Sequence, residues 1–291
     1  MSFSAAQASL EGFRLVRRRP VSFVVWSLLM GATMAAFATG YVWMFRDLAA
    51  WIATAKANAW QGILPMVGRF LLFELSAVVV LVVIVAMIAA AVYRATLSPA
   101  RSAFAYLRLG PVELRLIALQ LLVMVLTMLS ELASVGVIVG AAVSSLVLVA
   151  KILIAIGVVA GVIVLVVFVL VRLSLAGPLI VATDRFDLRR AWAMTRGRFW
   201  PLLGMSLLAV LLAMVVSMPA QIPIQLFMMT AMGPVGAFGA GHIPPDPWSY
   251  VRANPALSAV IGVLAILSMG LQLAVQAAPF AAAYRDLSEP S

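Results

Sequence analysis

Cysteine is absent from this chain, histidine occurs once, and only 10% of the 291 residues are charged. Without cysteine there is no disulfide, no thiolate metal site and no cysteine nucleophile. The single histidine, His242, sits in a Gly/Pro-rich stretch. Alone, it cannot supply the paired imidazoles of a zinc site. The stretch GPVGAFGAG (233–241) lacks the strand and lysine of a phosphate-cradling loop. No serine lies in a nucleophile-elbow context. These absences assign no catalytic residue, no metal and no cofactor, and they predict a non-enzyme. The shortage of charge also excludes an ordinary soluble domain, in which about 25% of residues are charged.

What is present is apolar: 65% of the residues are hydrophobic, in uninterrupted runs longer than the roughly 18 residues that mark a bilayer-spanning helix. We read one polytopic membrane domain over residues 1–291, all-α, an integral bundle of six transmembrane helices. The expected spans are Val21–Phe45, Phe70–Tyr93, Val112–Val137, Leu146–Arg172, Pro201–Met218 and Ala256–Tyr284. The first is too long for a signal-peptide core and is read as retained. The third and fourth are separated only by a turn near Gly140–Ser145. Pro219–Pro255, rich in Pro and Gly, is read as broken backbone that lies outside the lipid or is covered by protein.

One motif occurs three times at about 90-residue spacing. Phe13 is followed by Arg17 and Pro20, Phe104 by Arg108 and Pro111, and Trp192 by Arg196 and Pro201. The spans therefore read as three pseudo-repeated hairpins (about 1–98, 99–182 and 183–291), each led in by a cytoplasmic interfacial helix. Residues 2–19 form the first lead-in, with Phe3, Ala6, Leu10, Phe13 and Arg17 on the membrane face and a Ser4/Gln7 capping box. Ser98-Pro99 is expected to start the second, a short helix carrying Arg101, Phe104 and Arg108. Thr183 or Asp184 is expected to cap the third.

Orientation follows from the basic residues. Fifteen arginines fall in segments on the side of the termini, against five basic residues (Arg46, Lys56, Arg69, Lys151, Arg252) on the other. Both termini are accordingly expected in the cytoplasm, with the chain in a bacterial-type inner (plasma) membrane. The net charge of +10 suits an anionic leaflet. Membrane lipids are the expected partners, with a second membrane protein or a homo-oligomer as the alternative, and no nucleic acid.

An aromatic ring four residues before an arginine shares a helix face with it. Such pairs anchor a helix at the headgroup level by cation–π contact and snorkelling. The functional alternative is a collar of arginines gripping lipid phosphate or another anion, with Arg17, Arg108, Arg172, Arg189, Arg196 and Arg198 as the candidates. Glu74 and Glu131 are acids within predicted spans, and Lys151 is a cation there. They are candidates for a proton-coupled path by default, or structural pairs such as Glu131–Lys151 and Arg69–Glu74. Glu113 reads only as an edge residue.

The stretch Arg172–Gly204 resembles the membrane-domain family found attached to some glycerophosphoryl diester phosphodiesterases. Arg172, Leu173, Ser174, Pro178, Ala191, Thr195, Arg196, Gly197 and Phe199 carry the likeness, and Ala281–Leu287 is similar to that family's ending. The resemblance covers about a quarter of the chain. It implies a membrane module without the phosphodiesterase barrel, whose paired histidines and metal-binding acids have no counterpart here. The expected function is binding, sensing or transport of a lipid-like or anionic amphiphile, with an accessory or scaffold role as the alternative. A proton-coupled transporter using Glu74 and Glu131 is a further one.

Overall fold

In a computed structural model, residues 5–54, 60–98, 103–144, 147–232 and 251–288 are described, and among these every α-helix belongs to one bundle. Two short helices, α1 (Ala5–Ser9) and α2 (Glu11–Arg18), lead into α3 (Pro20–Thr54). Then follow α4 (Trp60–Leu97), a short turn at Ala103–Tyr106, α5 (Pro111–Val143) and α6 (Leu148–Leu173). α7 (Ala176–Thr183), α8 (Leu188–Met194), α9 (Phe199–Met232) and α10 (Pro255–Ser288) complete the chain. Among the described residues, six helices are long and apolar enough to cross a membrane.

Small residues set how closely these helices pack. Ala86, Ala90, Ala91, Ala274, Ala278 and Ala281–Ala283 are all buried. Between helices in lipid, where apolar surface gains nothing by leaving hydrocarbon, close approach through such residues supplies the dispersion contacts. Gly270 of α10 lies against the side chain of Ser27 in α3, and one turn on Gly31 meets Ile266. On α3 and α4, Gly40 makes room for the Phe73 ring, which stands edge-on to Tyr41.

Three segments differ from the expectations. First, the amino-terminal segment is not one helix lying apart from the bundle: it is two short helices packed on α10. It buries Ala8, Ser9, Glu11, Gly12 and Leu15 and leaves Leu10 43% exposed. The cause is Gly12: without a Cβ it lets α2 settle on the backbone of Ala274–Val275 in α10. Phe3 and the Ser4 cap lie outside the described residues. Second, Phe104 and Arg108 do not share a helix face. Phe104, Ala105 and Tyr106 all take left-handed backbone angles, with φ of 51°, 54° and 65°. The turn is held from inside, where the Trp26 indole donates to the Ala105 carbonyl at 2.8 Å and Arg94 donates to the Tyr106 carbonyl at 3.2 Å. Tyr106 itself is buried. Third, the fifth span does not stop at Met218; α9 runs on to Met232 with Pro219 and Pro223 inside it. Each proline removes one backbone donor, and the remaining bonds carry the helix through. His242 and GPVGAFGAG lie outside the described residues.

Candidate functional site

Arg94 and Arg285 stand in the last turns of α4 and α10, where a cation meets the negative end of the helix dipole. The end of α7 comes to the same place. Around these helix ends lies a cavity of about 370 Å³, lined by Arg94, Arg108, Arg285, Ser98, Tyr106 and Tyr284, with Val181 and Ala182 of α7. Arg108 reaches it because the left-handed turn folds the 103–110 segment back over α4. Opposing the guanidinium groups is Glu113, in the first turn of α5 and only 1% exposed. Its Oε1 lies 2.5 Å from Arg94 Nη2, a close ion pair. Neither carboxylate oxygen receives a well-directed hydrogen bond. Arg94 is met by Glu113 and Arg285 by Asp286, at 3.8 Å, so three arginines against two carboxylates leave one positive charge. The helix ends, each worth roughly half a negative charge, subtract from this but are screened.

One helical turn deeper, the same helices wall a second cavity of about 420 Å³. Ala89 and Tyr93 lie about a turn before Arg94 and Leu97 in α4; Gly177 lies a turn before Val181 in α7; Phe280 lies a turn before Tyr284 in α10. Its other walls are α5 (Leu116, Leu119, Gln120), α6 (Leu170) and α9 (Leu203, Ser206, Leu207, Val210). The lining is nearly all apolar. Leu170, Leu207 and Val210 are themselves well exposed, so the chamber opens sideways between α6 and α9, toward where lipid would be. Gly177 is needed here, because a Cβ would meet the Tyr93 ring.

The sequence candidates divide. Arg108 lines the cavity; Arg17, Arg189, Arg196 and Arg198 are exposed and do not. Arg172 is held between two rings, with its Cζ 5.2 Å from the centroid of Phe168 and 5.3 Å from that of Trp192. Trp192 thus takes Arg172, not Arg196, as its cation. The Thr195 hydroxyl donates to the Trp192 carbonyl at 2.9 Å and approaches the Arg172 carbonyl at 3.4 Å. The Arg172–Ser174 and Thr195–Gly197 stretches are therefore tied to one another, and Gly197 turns the chain at φ 79°. Within the bundle, Glu74 accepts from the Tyr41 hydroxyl at 2.7 Å. Lys151 donates to the Ala142 carbonyl at 2.7 Å. The Arg69–Glu74 and Glu131–Lys151 pairs do not form. Glu131 is exposed on α5 and bonds to nothing among the described residues.

Glu113 and Arg94 were passed over in the sequence, although a glutamate two residues after a helix-starting proline and an arginine ending a span were both visible. Among the described residues no group of three or more His, Asp or Glu gathers as metal ligands would. A family model described as a domain of unknown function (DUF7847) matches residues 4–287. No curated protein and no solved structure matches the chain.

Proposed function

We propose that this chain, which belongs to the DUF7847 family, is a non-enzymatic membrane module that binds an anionic amphiphile. The anionic group sits among Arg94, Arg108 and Arg285, and the hydrocarbon chain occupies the chamber one turn deeper. The observation that carries this reading is the stacking of a three-arginine cavity on an apolar one, walled by the same three helices. A planar guanidinium binds phosphate or carboxylate by paired hydrogen bonds, and the lateral opening between α6 and α9 admits a chain from the bilayer. The preponderance of arginine at this end supports a cytoplasmic position for it and for both termini, in a bacterial-type inner membrane.

Thermal stability in detergent tests the reading. An alkyl phosphate should raise the melting temperature of the wild type, and Arg108→Gln with Arg285→Gln should abolish the rise. Ser206→Phe, which fills the chamber, should abolish it for the alkyl phosphate. Arg196→Gln, away from the cavity, is the control. Stabilisation that survives loss of both Arg108 and Arg285 would refute the assignment.

A second reading has its own observation. In the third and fourth spans the most apolar stretch contains no buried residue. Gly136, Gly140, Gly157 and Gly161 there face open space, and the Glu131 side chain has no partner among the described residues. Such a surface suits assembly with another membrane protein. Leucine at Gly157 and Gly161 should then abolish co-purification of a partner while leaving alkyl-phosphate stabilisation intact. Transport coupled to protons through Glu74 or Glu131 would instead show as loss of flux in their glutamine variants.

A further inference from the structure

We propose that the start of α3 is a second phosphate-binding site, separate from the three-arginine cavity and turned toward the bilayer. A cavity of about 760 Å³ opens there, with Arg18, Val21, Ser22, Val25, Phe104 and Leu107 in its lining. Its floor is the first turn of a 35-residue helix. Pro20 leads that turn, and the first bond across the α2–α3 junction is Phe23 N–H to the Arg19 carbonyl. The N–H groups of Val21 and Ser22 precede it and have no intrahelical partner, which makes them donors for an anion.

Ser22 supplies the second and independent feature. It is only 8% exposed, it lines this cavity, and its hydroxyl makes no hydrogen bond among the described residues. Its Oγ is not sealed off but open to the cavity, where a phosphate oxygen over the helix start would be its partner. Arg18 stands beside it with its side chain 72% exposed, tied only to Glu11 at 3.9 Å. The remaining wall is apolar and open: Val21 is 75% exposed and Phe104 88%. Donors at one end and bare hydrocarbon at the other are the two halves of a phospholipid's boundary between headgroup and chain. The left-handed turn at 104–106 builds the site, because it carries Phe104 across to the α3 side.

The phosphate chemistry is common to a lipid headgroup and to free phosphate, and the experiment separates them. Native mass spectrometry would titrate delipidated protein carrying Arg108→Gln and Arg285→Gln, so that only the α3 site is read. The probes are dioleoyl phosphatidylglycerol, dioleoylglycerol and inorganic phosphate. One phosphatidylglycerol should bind, and adding Arg18→Gln with Ser22→Ala should weaken it by about tenfold, roughly 1.4 kcal/mol. Val21→Glu, at an exposed position, should weaken it as much by placing a carboxylate beside the phosphate, and it serves if the Ser22 variant unfolds. Unchanged phosphatidylglycerol binding in these variants overturns the site, and so does dioleoylglycerol binding equally well. Displacement by inorganic phosphate at millimolar concentration overturns the lipid as occupant. Because the arginine cavity is already disabled, failure of the amphiphile reading leaves this result unaffected.

Discussion

Arg94 is engaged on two sides, by the Glu113 carboxylate and by the Tyr106 carbonyl. One guanidinium therefore charges the cavity and holds its wall. Removing Glu113 leaves that charge partly buried with no counter-ion. Breaking such a pair from one side is costly, about 3 kcal/mol or more. Glu113→Ala should accordingly melt well below the wild type in detergent, and more so than Glu11→Ala, whose arginine partners are exposed. A drop no larger than that of Glu11→Ala would show that the buried pair is not structural. The adjoining turn makes an opposite prediction. A left-handed residue with a Cβ costs roughly 1–2 kcal/mol, so Ala105→Gly should hold or raise the melting temperature while Ala105→Val lowers it. Asp184, left-handed at φ 53° and paired with Arg115, belongs to the residue types that tolerate this conformation.

Among the elements, the contacts of α10 with α2 and α3 depend on glycine where they are closest. A methyl at Gly270 would meet the Ser27 side chain, and one at Gly12 would meet the backbone of Val275. Backbone cannot swing aside as a side chain can, and overpacking costs about 1–3 kcal/mol. Gly12→Ala should therefore loosen α2 from α10, read as faster proteolysis near Arg17–Arg19. Gly204→Ala, at a glycine whose Cβ would meet nothing, should leave cleavage unchanged. The proline-containing end of α9 shows the converse. Pro219 and Pro223 lie four residues apart in a helix that persists to Met232, so missing donors on one face do not stop a helix whose other bonds remain. Reading proline as a stop shortened this span in the sequence.

For the whole molecule, six spans bring the two ends of the chain to one end of the bundle, where α1 and α2 pack on α10 and the arginines gather. Reporter fusions after Ser288 and within the 103–110 segment should report the same side, and the positive-inside count predicts that this side is the cytoplasm. Opposite sides would overturn both the orientation and the amphiphile reading. The helical class and the number of spans were legible because hydropathy is local: an 18-residue apolar run has only one way to satisfy its backbone in hydrocarbon. The site was legible only in part. Arg108 was found through the repeated motif, but the motif assumed that Phe104 and Arg108 share a right-handed helix, and the 104–106 turn is left-handed.

Composition and periodicity alone determined that the chain is a membrane protein, how many times its helices are long enough to cross, and which segments hold the arginines. Only the packed structure decided which arginines meet. Arg94, Arg108 and Arg285 come from three segments, far apart in sequence, joined by the approach of α4, α7 and α10 and by a turn that the Trp26 indole and Arg94 itself hold in place. That convergence depends on close approaches that only a residue without a Cβ permits, at Gly12, Gly177 and Gly270. Hydropathy sums over neighbours in sequence and carries no record of such contacts.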